Sequence, residues 1–555
     1  MNTSSPDRYD YVIVGAGTAG CVLAARLSED PAVRVCLIEA GGWDTHPFIH
    51  VPALVGAAIA RASLNWRFTT EPQAALDNRR IPLPRGRVVG GSGAINGMVY
   101  FRGQPQDYDD WAAAGNRGWS WREVLPYFLR SEDNPEYRGS PYHGQGGPIR
   151  VAYIPKPNPL NRVFQQAFAE VGGYPACKDF SGSVPEGYGF RQGTIRDGRR
   201  DSSAAAFLRP ARARANLTVL TEARVTRVLL GNARAEGVET LVGGAQRRIL
   251  AERETVLCAG AIQSPQLLML SGIGPPEELA RHGIAVRVAA PGVGAHYRDH
   301  LSVPVVMDTS NTESYGLSLR TLPRAALNLA QYVFGRGGPL ASNVFESTAF
   351  IRSGPAADRP DLQLVFQPAR RNRGTFALPL GHGFVINSVG MYPRSGGRIV
   401  LASADPLAAP RVEANLLADP ADLAPLLAGL KLARRLFAAP AFAPYRAVER
   451  LPGPAVTSDA ELAAYVRRMA VTVHHPLSTC RMGADGDAVV DAELRVRGVE
   501  GLRVVDGSIC PVMIGGNTNA PIVMVAEKAA DLMRGRAPPA PVAGIHGTAD
   551  PGHGG

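Results

Sequence analysis

The sequence predicts a two-part protein, an α/β unit with a parallel sheet joined to an α+β unit with an antiparallel sheet. Three observations predict it. Tyr9 to Val14 reads as a short buried strand, Gly15-Ala16-Gly17-Thr18-Ala19-Gly20 follows at once, and an apolar helical stretch, Cys21 to Leu27, precedes a second strand, Val33 to Ile38. At 555 residues the chain exceeds what one hydrophobic core usually serves. From Leu301 to about Val471 the composition shifts to short β-type runs (Leu362 to Gln367, Phe384 to Val389, Arg398 to Leu401) and helical stretches at Pro420 to Ala438 and Ser458 to Met469.

The opening unit carries the most specific chemistry. Gly15 allows a tight turn, Gly17 lets a pyrophosphate approach the backbone, and Gly20 lets the helix lie close to the strand. Thr18 and Ala19 then open a helix whose N-terminus faces the phosphates. Glu39, followed by Ala40, comes about 20 residues past the last glycine, where an acid bonds the hydroxyls of an adenosine ribose. A dinucleotide site follows from this context.

Composition limits the function classes. Apolar content of 45% and charged content of 19% describe a soluble globular protein. The net charge of +10 rests on scattered arginines, with Lys156, Lys178, Lys431 and Lys528 the only lysines. There is no long basic run and no aromatic-interleaved basic patch, which argues against nucleic acid. Steering of anionic ligands, or weak peripheral attraction to an anionic membrane surface, stays open. The cysteines, Cys21, Cys36, Cys177, Cys258, Cys480 and Cys510, form no CxxC pair. Neither a disulfide framework nor a metal site is expected, and a reduced, cytoplasmic protein fits best. The cofactor strand begins at Tyr9, too early for a removable signal peptide. No apolar run is long enough to cross a membrane.

Further along, Asn65-Trp66 precedes the run Arg85-Gly86-Arg87-Val88-Val89-Gly90-Gly91-Ser92-Gly93-Ala94-Ile95-Asn96-Gly97-Met98. Such a stretch sets backbone N–H groups and one amide, Asn96, against a flat or anionic ligand. Trp111, Trp119 and Trp121 read as packing residues. Glu254 to Gly260 reads as a buried strand ending in small residues, Cys258-Ala259-Gly260, next to the first glycine turn. Thr472 to Pro476 reads as extended, because a residue before proline leaves the helical region. In an extended segment His474 and His475 point to opposite faces. An imidazole takes an alcohol proton near neutral pH, and an asparagine can donate where negative charge develops.

These stretches together resemble the glucose–methanol–choline (GMC) oxidoreductases, flavoproteins that oxidise alcohols. The first signature runs from Gly86 through Asn96, Tyr100 and Gly103; the second covers Gly260 to Gly274; Pro476 to Gly483 and Gly516 to Pro521 are similar to the family's C-terminal segments. Asn65-Trp66 and Ser342 to Ser347 resemble the choline dehydrogenase-like and aliphatic alcohol dehydrogenase branch. The resemblance implies a Rossmann-like FAD-binding domain from residues 1–155, 196–300 and 468–536. It also implies an α+β substrate-binding cap from 156–195 and 301–467, with 537–555 as a disordered tail.

The resemblance also implies the site. FAD would be contacted by Trp66, Arg85, Val89, Gly90, Gly91, Ser92, Asn96, Gly97, Met98 and Val99, in addition to the opening motif. Val225 would offer its backbone to the adenine, and Cys258 to Gly260, His474, the turn Asp506-Gly507, Asn517 and Thr518 would complete the contacts. His475 would be the base and Asn519 would orient the hydroxyl, while hydride leaves for flavin N5 and electrons pass to a quinone or similar acceptor. An oxygen-using oxidase and a lyase with redox-silent FAD are the alternatives. Glu346 is expected in a structural ion pair rather than on the substrate. Ile95 stands where some relatives carry a flavin-linking histidine, so FAD should be non-covalent. Gly93, Ser478 and His296-Tyr297-Arg298 also depart from the family pattern.

Overall fold

The computed structural model describes residues 7–370, 380–542 and 545. Tyr11-Val12-Ile13-Val14 and Val35-Cys36-Leu37-Ile38 are buried throughout, as strands covered on both faces must be. They form the centre of a parallel sheet in the order Leu217–Leu220, Val35–Ile38, Asp7–Val14, Ala245–Leu257, Leu502–Val504. The strand Ala245–Leu257 begins well before the expected Glu254. Its first residues are polar and exposed, so they carry no burial signal. They are held by antiparallel pairing to Arg234–Val242, which pairs in turn with Ala223–Gly231.

The opening helix, Thr18–Leu27, packs beside the C-terminal helix Asn519–Met533. Arg26 grips the buried Glu527 through both Nε and Nη2, and Arg130 from Trp121–Ser131 bonds Glu527 and Asp531. Trp111, Trp119 and Trp121 are buried beside this layer.

A second, antiparallel sheet runs Val448–Leu451, Leu301–Thr309, His382–Gly390, Leu362–Gln367, Ser347–Ile351, Gly187–Phe190. Helix Leu423–Phe437 covers one face. Ser458 caps helix Asp459–Met469 through Glu461 N. Three details differ from the sequence expectation. Arg398–Val400 forms a separate hairpin with Arg411–Glu413. Val471–Thr472, expected with the cofactor unit, pairs with Leu301 and Ser302 of the second sheet. Helix Leu322–Gly335 was not among the expected helices; its apolar side chains gather on one face, and that face stands exposed. Of the tail, most residues beyond Val542 lie outside the described ones. Ile545 is nonetheless buried against the core, so this end does bury a side chain. Among the described residues no helix is long and apolar enough to cross a membrane.

Candidate active site

The carboxyl ends of the parallel strands open onto a cavity of about 430 Å³ that extends to the second sheet. Gly15 sits at φ +99°, and a Cβ there would lie 2.6 Å from the Cys258 carbonyl oxygen. Gly91, at φ +52°, approaches so closely that a Cβ would stand 2.7 Å from Gly17 Cα. Helix Thr18–Leu27 has Gly17 as N-cap, no side-chain cap and no acid in its first turn. Helix Asn519–Met533 likewise starts without a side-chain cap or acid, and the N-termini of both line the cavity. Two uncapped helix ends present unpaired N–H groups and positive dipole ends to one space. Together with the glycine cradle, they fit a dinucleotide's anionic groups.

Glu39 faces the same space. Its Oε2 accepts from Ala16 N at 2.9 Å and its Oε1 from Gly41 N at 2.8 Å, while burial pushes its carboxyl up to about 7. Each oxygen keeps a lone pair for a ribose hydroxyl. Asp506 accepts from Gly260 N at 2.8 Å, Ser264 Oγ at 2.6 Å and Ser508 N at 2.8 Å, which fixes the Asp506-Gly507 turn on the cavity wall. Asn96 Oδ1 accepts from Met98 N at 2.9 Å and Arg200 Nη1 at 2.7 Å, leaving its amide donors for a ligand. Arg200 also bonds the carbonyls of Ile49 and Gly93, and burial lowers its guanidinium to about 9. Sequence reasoning missed this brace. Its one signal was a second arginine after Asp197-Gly198.

The reaction end is built by two antiparallel segments, 298–302 and 471–477. Leu301 pairs with Thr472, Val473 N donates to His300 O at 3.0 Å, and Leu477 N donates to Arg298 O at 3.0 Å. This ladder sets His300 against His475, with Nδ1 to Nδ1 3.0 Å and the rings 89° apart. Asp299 Oδ1 accepts from His475 N at 2.8 Å, and burial raises the Asp299 carboxyl to about 7. Arg85 Nη2 donates to the His474 carbonyl at 2.6 Å. On its other side His475 Nε2 lies 3.3 Å from the Asn517 amide nitrogen. Burial, then the charges of His300, His474 and Arg85, hold His475 well below the usual imidazole range. Burial lowers His300 to about 4. Both rings are therefore neutral at physiological pH. His300 Nε2 is buried with no hydrogen-bond partner among the described residues. The Nδ1–Nδ1 contact fits a proton on either ring; a proton on His475 Nδ1, donated to His300 Nδ1, leaves the lone pair of His475 on Nε2.

Most of the expected contacts line this one cavity, from Gly15, Gly17, Thr18 and Ala19 through Trp66, Gly97, Val99, Val225 and Ala259 to Thr518. Gly20, Val89 and Gly90 stand behind its wall. At Gly20 a Cβ would lie 1.9 Å from Gly15 O, Val89 N bonds Gly42 O at 2.9 Å, and Gly90 N bonds Ala16 O at 2.7 Å. Asn519, expected to work with His475, lines the same cavity, but the amide that stands beside the His475 ring is another. Asn519 is the first residue of the C-terminal helix, and its Oδ1 turns back to accept from Thr18 Oγ1 at 2.8 Å. Asn517, two residues earlier, is the amide beside His475. Gly93 leaves room for the Thr18–Asn519 bond, since a Cβ there would meet Thr18 Oγ1 at 2.8 Å.

The alternation expected at 474–475 also fails. His474 takes φ +68°, and both imidazoles line the cavity. Ser478, where the family pattern has glycine, sits at φ +75° with its Oγ buried and unpaired. Tyr297, within another departure, donates to Asp299 Oδ2 at 3.3 Å. Glu346 makes no ion pair among the described residues. It accepts from Tyr315 OH and Asn158 N, both at 2.8 Å, and from Ser342 and Asn161. On the second-sheet side the cavity is lined by Arg191, Phe345, Gln363, Gln367 and Asn387, which had no motif to reveal them.

A GMC oxidoreductase N-terminal family model matches residues 9–302, and the C-terminal one matches 393–526. The alcohol dehydrogenase [acceptor] of Pseudomonas putida is 43% identical over 527 residues, 95% of each chain. Human mitochondrial choline dehydrogenase is 41% identical over 543 residues, 96% of this chain and 91% of that one. The crystal structure of pyridoxine 4-oxidase from Mesorbium loti superposes with TM-score 0.86 at 34% identity, covering 95% of this chain and all of the other. A formate oxidase variant from Aspergillus oryzae, studied for FAD modification, gives TM-score 0.89 at 27% identity over 96% of this chain and 99% of its own.

Proposed function

We propose that this chain, which belongs to the GMC oxidoreductase family and has FAD as its cofactor, oxidises an uncharged alcohol to an aldehyde or ketone. The observation that carries the reading is the His475–Asn517 pair, with His300 behind it. FAD, when bound, supplies the hydride acceptor. Held neutral with its lone pair on Nε2, His475 takes the hydroxyl proton. Asn517 donates to the same oxygen as its charge develops and fixes its orientation. His300, bonded to Nδ1, keeps the ring in the required tautomer. Arg85 and Asp299 hold the carbonyl and the N–H of the one peptide group that joins His474 to His475, which fixes the backbone at the base. Ile95 lines the cavity with an aliphatic side chain, which supports non-covalent FAD.

The lining supports an uncharged substrate. Among the described residues, the carboxylates on the cavity wall are Glu39 and Asp506, both at the cofactor end and both bonded to backbone N–H groups. Arg191 brings a cation to the second-sheet side, and Glu346 is tied up away from the wall. A quaternary ammonium needs an acid or an aromatic cage, and neither is built here. Anaerobic flavin bleaching over aliphatic, aromatic, amino and polyol alcohols tests this. Bleaching is expected with neutral alcohols and not with choline. Rapid bleaching by choline would overturn the substrate class, and turnover without bleaching would make the enzyme a lyase. A quinone-type compound is the proposed electron acceptor. Peroxide formed at the full turnover rate in air would make oxygen the acceptor instead.

A further inference from the structure

Six of the eleven large apolar side chains that stand exposed on the described surface fall between Leu319 and Phe334. They are Leu319, Leu322, Leu327, Leu329, Val333 and Phe334, with exposures from 54% to 88%. All but Leu319 lie on helix Leu322–Gly335, whose one buried residue is Tyr332. The helix is fastened rather than loose: Tyr332 OH donates to Gly198 O at 3.1 Å, and the Arg336 guanidinium lies 5.3 Å from the Tyr332 ring centroid. Beyond it, Pro339–Ala341 packs on Pro52–Leu54, which leads directly to Val55 and Ile59 on the cavity wall. A contiguous apolar surface of this kind marks an interaction site in a soluble protein.

The charges select the occupant. From Ser314 to Phe345 the sequence contains Arg320, Arg324 and Arg336 and no acid. Two copies meeting face to face would crowd these arginines with no carboxylate from the same stretch to pair them. An anionic lipid surface would neutralise them and accept the leucines at the same time. We propose that helix Leu322–Gly335 is a membrane-surface anchor that lies in the headgroup region of an anionic bilayer. The anchor does not depend on the proposed reaction. It sets the cavity wall at Val55, Ile59 and Phe345 on the lipid side, where apolar alcohols and acceptors concentrate.

Flotation of the FAD-loaded full chain with vesicles tests the anchor. The protein is expected to float with phosphatidylcholine vesicles containing phosphatidylglycerol, more weakly with phosphatidylcholine alone, and less as salt is raised. Leu327→Asp/Phe334→Asp is expected to lower the partition coefficient by roughly tenfold or more, with FAD content and alcohol-driven bleaching unchanged. Arg320→Gln/Arg324→Gln should remove most of the salt dependence. In the parent protein, vesicles should slow hydrogen exchange in 319–336. Failure to float, or a leucine–phenylalanine variant that floats as well as the parent, overturns the proposal. A parent dimer that this variant dissociates, with vesicles ignored, would make a second copy the occupant. If the variant cannot hold FAD, the exchange measurement on the parent decides.

Discussion

The two ends of the cavity are built by different means. At the cofactor end the backbone does most of the work. Gly15, Gly17 and Gly91 bring main chain into close contact, two helix N-termini supply donors, and Glu39 is positioned by its own strand end. At the reaction end side chains from widely separated segments meet. His300 and His475 come from the segments that flank two paired strands of the second sheet, and Asn517 comes from the approach to the C-terminal helix. A backbone site tolerates almost no added atom yet survives loss of single side chains. A side-chain site shows the reverse. The difference predicts how each end should fail.

The largest effect should be at the reaction end. His475→Ala is expected to slow flavin reduction by alcohol by roughly 10² to 10⁴ while FAD stays bound. A variant that bleaches its flavin as fast as the parent would remove the base assigned here. At the cofactor end the severe change is an addition. Gly91→Ala places a Cβ 2.7 Å from Gly17 Cα at φ +52°, which should cost about 3 kcal/mol and release FAD, read by flavin content and melting temperature. The two asparagines separate the ends within one short segment. Asn517→Ala should slow reduction by about 10² with FAD retained. Asn519→Ala should loosen FAD and change the reduction rate only a few-fold. The opposite pattern would restore Asn519 as the orienting amide.

A smaller effect follows from the neutral imidazoles. Burial depresses His300 to about 4 in the folded chain, below the ordinary value of about 6.5. A histidine so depressed leaves stability intact above its unfolded value and lowers it as pH falls, because the unfolded chain takes up the proton first. Between pH 7 and pH 5 His300 should thus subtract about 2 kcal/mol. Denaturant titrations at both pH values should show a smaller drop in His300→Asn; equal drops would sink the assignment. The smallest expected effect concerns Ser478, whose φ +75° and unpaired buried Oγ are both unfavourable. Ser478→Gly should stabilise by about 1 kcal/mol, seen as a higher melting temperature.

The contrast also explains what could be read from the amino-acid order. The strand, glycine turn, helix and acid of residues 9–39 depend on local spacing, and local spacing is visible in a sequence. The Gly90–Asn96 run and the histidine before Pro476 were legible for the same reason. Which of Asn517 and Asn519 stands beside the His475 ring was not, because it turns on where helix Asn519–Met533 starts and on Thr18, about 500 residues away in the chain. His300 reaches the reaction end only through the pairing of its segment with 471–477. Arg200 and Arg191 act through tertiary contacts that leave no periodic trace. Helix Leu322–Gly335 was not read from the sequence; its apolar face turns to solvent rather than to the core.

The ladder joining 298–302 to 471–477 has one more consequence, for anyone cutting or permuting the gene. Each imidazole sits where the polypeptide passes between the cofactor half and the second sheet, His300 on the way out and His475 on the way back. A chain cut just after residue 300 or near 470 leaves His300 on one fragment and His475 with Asn517 on the other. A split enzyme broken near either crossing should stay silent until its fragments reassociate, so turnover itself would report the assembly.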